Sequence, residues 1–341
     1  MTPSVRDKPL GGTKLLAWTR ALVEPPLRVI VDRLSPSMRH VCRYHFGWWD
    51  AHGQPAEHRP GRAIRPALVL GSARAVGGQP ADAIPAAVAV ELLHNAALLH
   101  DDIIGDDPVR RRRPAAWSAF GAPAAILAGD ELCCLAMQAL AEGARERAAV
   151  GIGMLADAFH QVALGEYADV AFKSHLDVTL HECLAMAEAR TSALTECACG
   201  LGAWYGDGSP YQAAQLRGFG HHLGIACQLA DDLRAIWGDA DGPHPSALGA
   251  HRKSLPVAAA LATDCAAARE LALLYRLGSP LSGDELRHAA ALVEAAGGRN
   301  WAIRQARRHT ERALDHLRTT ALATDAVRDL TALTELVIDL A

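Results

Sequence analysis

Long apolar stretches with few polar interruptions dominate the chain. Residues 83–104 are rich in Ala, Leu and Val, and before the aspartates at their end only Glu91, His94 and Asn95 are polar. This pattern predicts a helix buried on nearly all sides. Further stretches carry helical patterning, many bounded by Gly or Pro: residues 123–148, 151–170, 180–202, 213–236, 254–277, 283–296 and 301–322. Alternating runs typical of strands are missing, so the sequence predicts an all-α fold.

Composition and charge add limits to this picture. The 341 residues are 50% hydrophobic and carry a formal charge of −4 at pH 7. That is enough chain for a large core, and mild acidity gives no reason to expect a nucleic-acid partner. No Pro/Gly/Ser-rich linker or internal repeat interrupts the chain. We therefore predict one helical domain over residues 31–341, preceded by a partly loose tail and lead-in helix over residues 1–30.

The cysteines and the N-terminal segment bear on the cellular compartment. The 8 cysteines lie mostly in apolar context and form no CxxC pairs of the kind found in zinc sites. They indicate small core residues in a reducing compartment. The N-terminal segment mixes charges, glycines and short apolar patches, unlike a signal peptide, and no apolar run reaches the length expected of a membrane span. We expect a cytoplasmic protein without a transmembrane segment.

Two pairs of adjacent aspartates carry the strongest chemical signal. Asp101 and Asp102 follow ELLHNAALLH, and Asp231 and Asp232 follow GIACQLA. Two like charges beside hydrocarbon near a helix end are unfavourable unless a cation joins them. Carboxylates select hard divalent ions, and Mg²⁺ is commonly bound by one or two carboxylates together with substrate phosphates. The two pairs therefore predict Mg²⁺ ions around a diphosphate.

Four consecutive arginines, Arg110 to Arg113, follow the first pair. Gly105 and Pro108 lie between, which indicates that the helix ends and a loop carries the arginines back toward the carboxylates. The planar, always charged guanidinium suits phosphate oxygens. An isolated basic run is more often a solvated surface, or it neutralises neighbouring acids. Beside the aspartate pair we interpret it as a phosphate site.

In their order along the chain these segments resemble the trans-isoprenyl diphosphate synthases, or polyprenyl synthetases, from about Val31 to the C-terminal region. Any one segment would be a weak match, but the succession is specific. The matching segments are GRAIRP, ELLHNAALLHDD, RRRRP, AGDELCCLA, GEYAD, ARTSAL, GIACQLADDLRAIWGD and RKSLPVAAAL. The resemblance implies an isoprenoid-synthase-type all-α helical bundle around a central cavity.

The resemblance also implies an activity. It is a Mg²⁺-dependent transferase that condenses an allylic prenyl diphosphate with isopentenyl diphosphate to a short-chain (C15–C20 or longer) prenyl diphosphate, as polyprenyl and geranylgeranyl diphosphate synthases do. The allylic diphosphate ionises at the metal ions, the isopentenyl double bond attacks the cation, and a proton is lost. The protein positions the substrates and excludes water. A homodimer is implied as well.

The resemblance assigns roles to individual residues. Each implied metal ligand is an aspartate carboxylate: Asp101, Asp102, Asp231 and Asp232, with Asp106 as a displaced further ligand. The residues that serve the allylic diphosphate and its ionisation are Arg110, Gln228, Arg190 and Thr191, the last two standing at the family's Lys-Thr pair. The isopentenyl diphosphate site comprises Arg62, Arg65, His94 and Arg111.

Simpler interpretations compete with some of these roles. His94 alone would be interpreted as a core histidine, but it shares a helix face with Asp101, which favours the site. Gln228 likewise shares the face of Asp231. Arg62 and Arg65 are equally compatible with surface charges. Lys253 follows the second motif and is interpreted as a solvated loop residue, outside the core set.

The chain also departs from the family's DDxxD pattern. Gly105 stands where a carboxylate would share the face of Asp101, and Ala235 stands at the equivalent position after Asp231. If the helix continued, Asp106 would be rotated from that face by about 100°. The number of Mg²⁺ ions therefore stays open. Two other functions stay open too: a class I terpene cyclase or lyase derived from this scaffold, and a non-catalytic partner subunit of an active synthase.

Two further expectations rest on the resemblance. Some actinobacterial relatives with segments similar to YHFGWWD and KSLPV are associated with encapsulin shells, so the residues before Val31 are a candidate docking tail. Product length in the family depends on side-chain bulk one helical turn before the first aspartates. Ala96 and Ala97 occupy that turn, which predicts a product of C20 or longer that Ala96→Phe would shorten.

Overall fold

The computed structural model describes residues 10–56, 61–143, 145–175, 177–238, 248–249, 252–276, 281–318 and 322–339. Of the predicted tail and lead-in helix over residues 1–30, residues 1–9 lie outside the described residues, and Gly12–Val31 form a helix. The shell-docking role of the residues before Val31 stays a prediction. The helices are α1 (Gly12–Val31), α2 (Pro36–Phe46), α3 (Ile64–Ala75), α4 (Ile84–Ile104), α5 (Ala116–Phe120), α6 (Ala122–Glu142), α7 (Arg145–Ser174), α8 (Leu180–Ala187), α9 (Ala193–Tyr205), α10 (Pro210–Trp237), α11 (Leu255–Leu261), α12 (Ala266–Leu274), α13 (Gly283–Ala295), α14 (Gly298–Arg318) and α15 (Thr324–Asp339). The all-α prediction is confirmed.

The chain divides into two compact units. The first unit comprises Met1–Phe159, Leu194–Arg217 and Leu317–Leu333. The second comprises His160–Ala193, Gly218–His316 and Thr334–Ala341. The first aspartate pair belongs to the first unit and the second pair to the second unit. The prediction of a single domain over residues 31–341 stays a prediction.

Helix α4 forms the centre of the first unit and ends at the first aspartate pair. It starts directly after a 3₁₀ turn, Pro80–Ala83, and Pro85 stands in its first turn, where proline's missing N–H is tolerated. It packs against α3 and α6. A Cβ at Gly129 of α6 would lie 2.2 Å from His100 Nε2, so only glycine lets α6 approach the end of α4 this closely.

A short β-hairpin follows α4, and the sequence did not predict it. Strand β1 (Val109–Arg110) pairs with β2 (Arg113–Pro114), with Arg110 opposite Arg113. The loop residues Arg111 and Arg112 have φ of 53° and 64°. Positive φ at both positions is typical of a two-residue hairpin loop, and for a non-glycine residue it costs about 1 kcal/mol. The hairpin thus holds the arginine tetrad in a fixed shape, although the backbone conformation of its loop is unfavourable.

Three predicted helical stretches are interrupted. The stretch over residues 123–148 contains the end of α6 and the start of α7. The stretch over residues 180–202 is α8, a π-helical segment (Glu188–Ser192) and α9. The stretch over residues 254–277 is two helices, α11 and α12, because Thr263 Oγ1 donates to Ala260 O at 2.8 Å and ends the first. Cys265 then caps the second by accepting from the Ala268 N–H. The prediction of one continuous helix there is wrong.

The cysteines agree only in part with their predicted role as small core residues, since Cys134 is exposed and Cys133, Cys227 and Cys265 are partly exposed. All of them are free thiols, and Cys42, Cys183, Cys197 and Cys199 are buried. Burial raises the pKa of Cys199 to about 12, so this thiol stays protonated and unreactive at neutral pH.

Three helical segments in the described residues are long and apolar enough to cross a membrane: Pro80–Ile104, Ala122–Glu142 and Arg145–Lys173. The expectation that no apolar run is as long as a membrane span is therefore wrong, as judged by helix length and composition. In Pro80–Ile104 much of the apolar surface lies against other parts of the protein, as the fully buried Leu92 and Leu93 illustrate.

Candidate active site

The first aspartate pair is joined to the arginine tetrad by a close ion pair. Arg110 Nε donates to Asp102 Oδ1 at 2.5 Å, and Arg110 Nη2 lies 3.8 Å from Asp101 Oδ2. The side chain of Asp102 is 2% exposed and that of Asp101 is 22% exposed. Burial raises the pKa of Asp102, although Arg110 acts in the opposite direction. The loop after α4 therefore returns an arginine to the carboxylates, as the sequence predicted.

Asp102 keeps one oxygen available. Its Oδ2 is buried and has no hydrogen-bond partner within the described residues. A buried carboxylate oxygen without a partner is costly, by about 1–3 kcal/mol or more for a charged group. Together with the partly exposed Asp101, this oxygen offers a cation two adjacent hard ligands.

Arg113 fixes the hairpin that carries Arg110. Its guanidinium donates to the backbone carbonyls of Tyr44 and His45 at the end of α2. It also stacks on the Tyr44 ring, with Cζ 4.2 Å from the ring centroid. The Tyr44 hydroxyl in turn donates to Pro114 O at 2.7 Å. Arg113 is thus an anchor for the loop, whereas Arg110 faces the aspartates.

The carboxylates after α4 are arranged differently from the sequence expectation. Helix α4 ends at Ile104, and Asp106 is exposed with φ of 53°. The Asp107 carboxylate lies near Gly105, where a Cβ would come within 3.3 Å of its Oδ2. Asp107 is also the neighbour that, with Asp101, raises the pKa of Asp102. Sequence reasoning missed Asp107 as a member of this cluster, and Asp106 as a ligand stays a prediction.

The predicted isopentenyl diphosphate residues occupy the same helix, further from its end. Arg65 Nη1 donates to His94 Nε2 at 3.1 Å, so His94 accepts through this nitrogen. Burial first, and then the charges of Arg65, Arg111 and Arg110, hold the pKa of His94 well below its usual value. His94 is therefore neutral, and its Nδ1 carries the ring proton and can donate to an anion. Arg62 is exposed.

Glu91 places a partly buried carboxyl group beside these cations. Asn95 Nδ2 donates to Glu91 Oε1 at 3.2 Å, and Asn95 Oδ1 contacts His45 Nε2 at 3.2 Å. Burial raises the pKa of Glu91, with the charges of Arg65 and Arg111 opposing that rise. Sequence reasoning treated Glu91 only as a polar interruption. Its position three residues before His94, and thus on the same helix face, was the available signal.

Gly61 brings the GRAIRP segment against this cluster. A Cβ at Gly61 would lie 3.1 Å from Arg111 Nη2 and 3.7 Å from Glu91 Oε1. Arg20 Nη2 of α1 donates to Gly61 O at 3.1 Å and holds the segment in place. The glycine therefore leaves room for the arginine that the hairpin delivers.

In the second unit, Asp232 is the centre of a hydrogen-bonded chain. Thr191 Oγ1 donates to Gln228 Oε1 at 2.5 Å, and Gln228 Nε2 donates to Asp232 Oδ1 at 2.7 Å. The Leu255 N–H, at the start of α11, donates to Asp232 Oδ2 at 2.9 Å. Burial raises the pKa of Asp232 to about 6 against these bonds. Three predicted residues are thus brought into contact.

Asp231 differs from its neighbour. Its side chain is 52% exposed, and Arg234 Nη1 donates to its Oδ1 at 3.2 Å from the next turn of α10. Ala235 leaves that turn without a further carboxylate. The second pair therefore presents one partly buried, hydrogen-bonded carboxylate and one exposed carboxylate.

Arg190 lies on the π-helical segment, where two acids of α7 hold it. Its Nε donates to Glu166 Oε1 at 2.5 Å, and its Nη1 lies 3.6 Å from Asp169 Oδ2. Arg252 Nη2 reaches the same Asp169 oxygen at 3.1 Å. A Cβ at Gly165 would lie 2.6 Å from Arg190 N, so glycine is required for this approach of backbone to backbone. Glu166, Asp169 and Arg252 were not named among the predicted site residues.

Lys253 is not solvated. It is 4% exposed, and its Nζ donates to the carbonyls of Phe172 and His175 at the end of α7. Burial lowers its pKa. The interpretation of Lys253 as a solvated loop residue is wrong: it is a buried cation at a helix C-terminus, where the helix dipole favours positive charge.

The donor set of each unit suits Mg²⁺ bound together with phosphate. Among the described residues, no group of three or more His, Cys, Asp or Glu side chains is arranged to hold a metal ion by itself. Each unit instead offers two adjacent carboxylates, and in the first unit one buried carboxylate oxygen has no hydrogen-bond partner among the described residues. Mg²⁺ usually takes one or two carboxylates and completes its shell with water and substrate phosphate. The residues present therefore fit Mg²⁺ with a diphosphate substrate.

Comparisons with known proteins agree with this chemistry. The polyprenyl synthetase family pattern matches residues 50–293. The chain is 40% identical over 332 residues to a (2E,6E)-farnesyl diphosphate synthase of Mycobacterium tuberculosis, covering 95% of this chain and 92% of that protein. It is 38% identical over 332 residues to a geranylgeranyl diphosphate synthase of the same organism, with 96% and 93% covered.

The fold agrees as well. The crystal structure of a polyprenyl synthetase from Streptomyces coelicolor A3(2) matches with a TM-score of 0.90 and 39% identity, covering 96% of this chain and 99% of that one. A family pattern over most of the chain and relatives of this identity over nearly all of it establish the family. This chain belongs to the polyprenyl synthetase family.

Proposed function

We propose that this protein is a Mg²⁺-dependent prenyltransferase that condenses an allylic prenyl diphosphate with isopentenyl diphosphate to a short-chain prenyl diphosphate. The observation that supports this proposal is that two separate clusters of charged and polar side chains lie along α4. Near its end stand Asp101 and Asp102 with Arg110. Further back stand His94 and Arg65, with Arg111 close to both. A condensing enzyme needs two diphosphate sites, one with metal and one without.

The same observation separates this proposal from its alternatives. A cyclase or lyase binds one prenyl diphosphate and has no use for a second, metal-free cationic centre. A non-catalytic subunit has no use for a buried carboxylate oxygen left without a partner. The relatives named above are farnesyl and geranylgeranyl diphosphate synthases, which supports a short-chain product.

The residues divide the work of condensation. Mg²⁺, when bound with the allylic diphosphate, neutralises the leaving group as it departs. Asp101, Asp102, Asp231 and Asp232 would hold the metal, and Arg110 would bind diphosphate oxygen. Neutral His94 would donate a hydrogen bond from its Nδ1–H to isopentenyl diphosphate. Arg62, Arg65 and Arg111 would balance the negative charge of that diphosphate.

The polar chain of the second unit positions its carboxylate. Thr191 and Gln228 orient Asp232 by a relay of hydrogen bonds. Arg190, held by Glu166 at 2.5 Å, presents its charge at the π-helical segment that also carries Thr191. A Lys-to-Arg change at this position preserves charge and adds a planar fork, which suits a diphosphate.

Assembly and location are part of the proposal. Exposed apolar side chains on α6 (Ile126 and Leu127, 44% and 54% exposed) and on α7 (Tyr167, 75% exposed) support a homodimer. The partly charged character of α4, which carries the aspartate pair, supports a cytoplasmic protein rather than a membrane-spanning one. An encapsulin-type shell is proposed as a partner from the resemblance of the YHFGWWD and KSLPV segments.

The deciding experiment supplies purified protein with Mg²⁺, isopentenyl diphosphate and each of the C5, C10 and C15 allylic diphosphates. Products are identified by mass spectrometry after phosphatase treatment. We expect chain-extended prenyl alcohols in amounts that require both substrates and Mg²⁺. Release of a cyclic hydrocarbon or alcohol without consumption of isopentenyl diphosphate would establish the cyclase alternative. No turnover alone, but stimulation of another synthase, would establish the partner-subunit alternative.

A further inference from the structure

A cavity of about 480 Å³ lies within the second unit, lined by α10, α14 and the end of α15. Its volume falls in the range of sites for small organic ligands. The apolar part of its wall is formed by Ala230, Leu233, Trp237, Ile303, Ala306 and Ile338. None of these residues belongs to the site proposed above, and the function proposed above does not use the cavity.

Arg234 gives this cavity an unusual polar feature. The side chain lines the cavity, and its Nη1 donates to Asp231 Oδ1 at 3.2 Å. Its Nε and Nη2 are buried and have no hydrogen-bond partner within the described residues. Leaving a buried donor unpaired costs about 1–3 kcal/mol, and more on a charged group. Two such donors on one guanidinium call for an oxyanion, which accepts from both.

Two further arginines make the cavity electropositive. Arg299 and Arg307 line it, and Glu311 is the one acidic residue among the described residues of its wall. Arg299 is already oriented: its Nη1 donates to Glu294 Oε1 at 3.0 Å, and its Cζ lies 5.2 Å from the Trp237 ring centroid. Arg307 is exposed. An apolar wall with arginines around it complements a molecule that has an apolar body and a negatively charged head.

We propose that this cavity binds an amphipathic anion, a phosphate- or carboxylate-headed molecule whose apolar body contacts Trp237 and Ile303 and whose head accepts from Arg234. Because the same guanidinium holds Asp231, the bound anion also changes the second aspartate pair. The bound anion draws Arg234 away from Asp231 and neutralises the positive charge of the Arg234 guanidinium. Both effects favour a cation at Asp231, so occupation of the cavity raises Mg²⁺ affinity. This second step rests on the proposed function; the binding itself does not.

Calorimetry on the full-length protein without Mg²⁺ tests the binding. The probes are octyl phosphate, octanoate, octanol and inorganic phosphate. We expect octyl phosphate or octanoate to bind at least tenfold more tightly than octanol and inorganic phosphate, and the ranking of the two anions identifies the head group. Equal binding of octanol would overturn the role of the arginines, and absence of binding by both amphipathic anions would overturn the site.

A matched pair of variants locates the binding. Arg307 and Arg308 are adjacent exposed residues of α14, but only Arg307 lines the cavity. Arg307→Gln should weaken binding of the preferred anion at least fivefold, while Arg308→Gln should leave it unchanged. Equal effects of the two variants would mean that the probe binds elsewhere on a basic surface, which contradicts the proposal.

The coupling has its own measurement. Mg²⁺ is titrated calorimetrically with and without saturating octyl phosphate, and the reverse titration is done with saturating Mg²⁺. Linkage requires the same factor in both directions, and we expect at least a threefold gain. If Mg²⁺ does not bind at all, the proposed function fails while the anion site stands. If both bind without coupling, Arg234 does not link them.

Discussion

Gln228 Nε2 donates to Asp232 Oδ1 at 2.7 Å, and this hydrogen bond distinguishes Asp232 from its neighbour Asp231 in the second aspartate pair. Asp232 has its other oxygen bonded to the Leu255 N–H, whereas Asp231 is half-exposed beside Arg234. Burial raises the pKa of Asp232 to about 6 from its ordinary value of 3.8. Asp232 therefore keeps its proton to a higher pH than an ordinary aspartate does, because burial disfavours its charged form.

The first prediction concerns the pH dependence of turnover. Below a pH of about 6 Asp232 takes up a proton in the metal-free protein, and a protonated carboxyl is a poor Mg²⁺ ligand. Activity should fall as pH drops through this value, and the midpoint should move to lower pH as Mg²⁺ increases, because metal and proton compete. Steady-state rates at limiting and saturating Mg²⁺ measure the shift. A midpoint that ignores Mg²⁺ would assign the pH effect to another group.

The second prediction concerns stability and a histidine cluster. His222 Nδ1 and His309 Nδ1 lie 3.2 Å apart, and His221 and His316 pack around them. Burial, and then His221, His309, His316 and Arg312, lowers the pKa of His222 to about 4. For His309 the causes after burial are Arg312, His221 and Arg308, with the pKa again lowered to about 4. The Asp315 carboxylate acts on His316 in the opposite direction.

Above pH 6.5, the ordinary pKa of histidine, a histidine whose pKa is lowered by folding is neutral in both states and does not change the free energy of unfolding. As pH falls toward 4 the unfolded chain binds the proton first, so the free energy of unfolding decreases. Between pH 6.5 and pH 4 the free energy of unfolding of His309→Gln should therefore rise by about 1 kcal/mol relative to that of the parent. Urea denaturation at both pH values measures this. Comparison with the parent cancels Asp232, whose raised pKa acts with the opposite sign over the same window. A constant difference would contradict the assignment.

The third prediction distinguishes the members of the first pair. Asp101→Ala should lower turnover by orders of magnitude and leave the unfolding free energy unchanged, since Asp101 is partly exposed. Asp102→Ala should do the same and also destabilise the fold by about 2 kcal/mol, because it leaves the largely buried Arg110 without its close partner. Asp82→Ala, on the exposed 3₁₀ turn before α4, is the control. Full activity of Asp101→Ala would remove it from the site.

The fourth prediction concerns a buried charge that joins the two ends of the chain. Asp329 is 0% exposed; its Oδ2 accepts from Arg74 at 2.6 Å and its Oδ1 accepts from the backbone N–H groups of Leu10 and Gly11. Asp329→Asn should lower the unfolding free energy by about 3 kcal/mol, because Arg74 loses its counter-charge. Asp325→Asn is the control, since Asp325 pairs with Arg328 at 3.5 Å on the surface of the same helix. Equal shifts in melting temperature would contradict the buried role.

The sequence identified elements whose signal is repeated along the chain. Helix α4 was predicted within one residue, because a continuous apolar run leaves little choice of secondary structure over that length. The hairpin after it was missed because each strand has two residues, too few to alternate visibly. The π-helical segment was missed for a related reason: its residues have ordinary helical composition, and the close approach of Arg190 to Gly165 is a tertiary contact that the sequence does not display.

For the site, the sequence revealed residue types but not their partners. Gln228 and Thr191 were predicted separately, and their hydrogen bond to each other is a tertiary fact. Lys253 was misjudged because a lysine in a loop is usually solvated, and only the carbonyls at the end of α7 make its burial acceptable. Glu91 was overlooked because a lone acid in an apolar run has no visible partner until Arg65 and Arg111 fold against it.

The fifth prediction concerns product length and separates two neighbouring alanines of α4. Ala96 is 0% exposed, packed among the core residues of the first unit. Ala97 is partly exposed and shares a helix face with His94 and Asp101, since it lies three residues after one and four before the other. A prenyl chain that grows from a diphosphate held at Asp101 therefore passes Ala97. The substitution that narrows its path is Ala97→Phe, and not Ala96→Phe as the sequence alone suggested.

Ala97→Phe should shorten the main product by at least one C5 unit and leave the melting temperature within a few degrees of the parent. Ala96→Phe should instead overpack the core and destabilise the fold by about 1–3 kcal/mol without a defined change in product. Product alcohols separated by chain length, together with thermal denaturation, distinguish the two outcomes. If Ala96→Phe shortens the product and Ala97→Phe does not, the chain grows along the other face of α4. If neither does, a residue outside this helix turn sets the length.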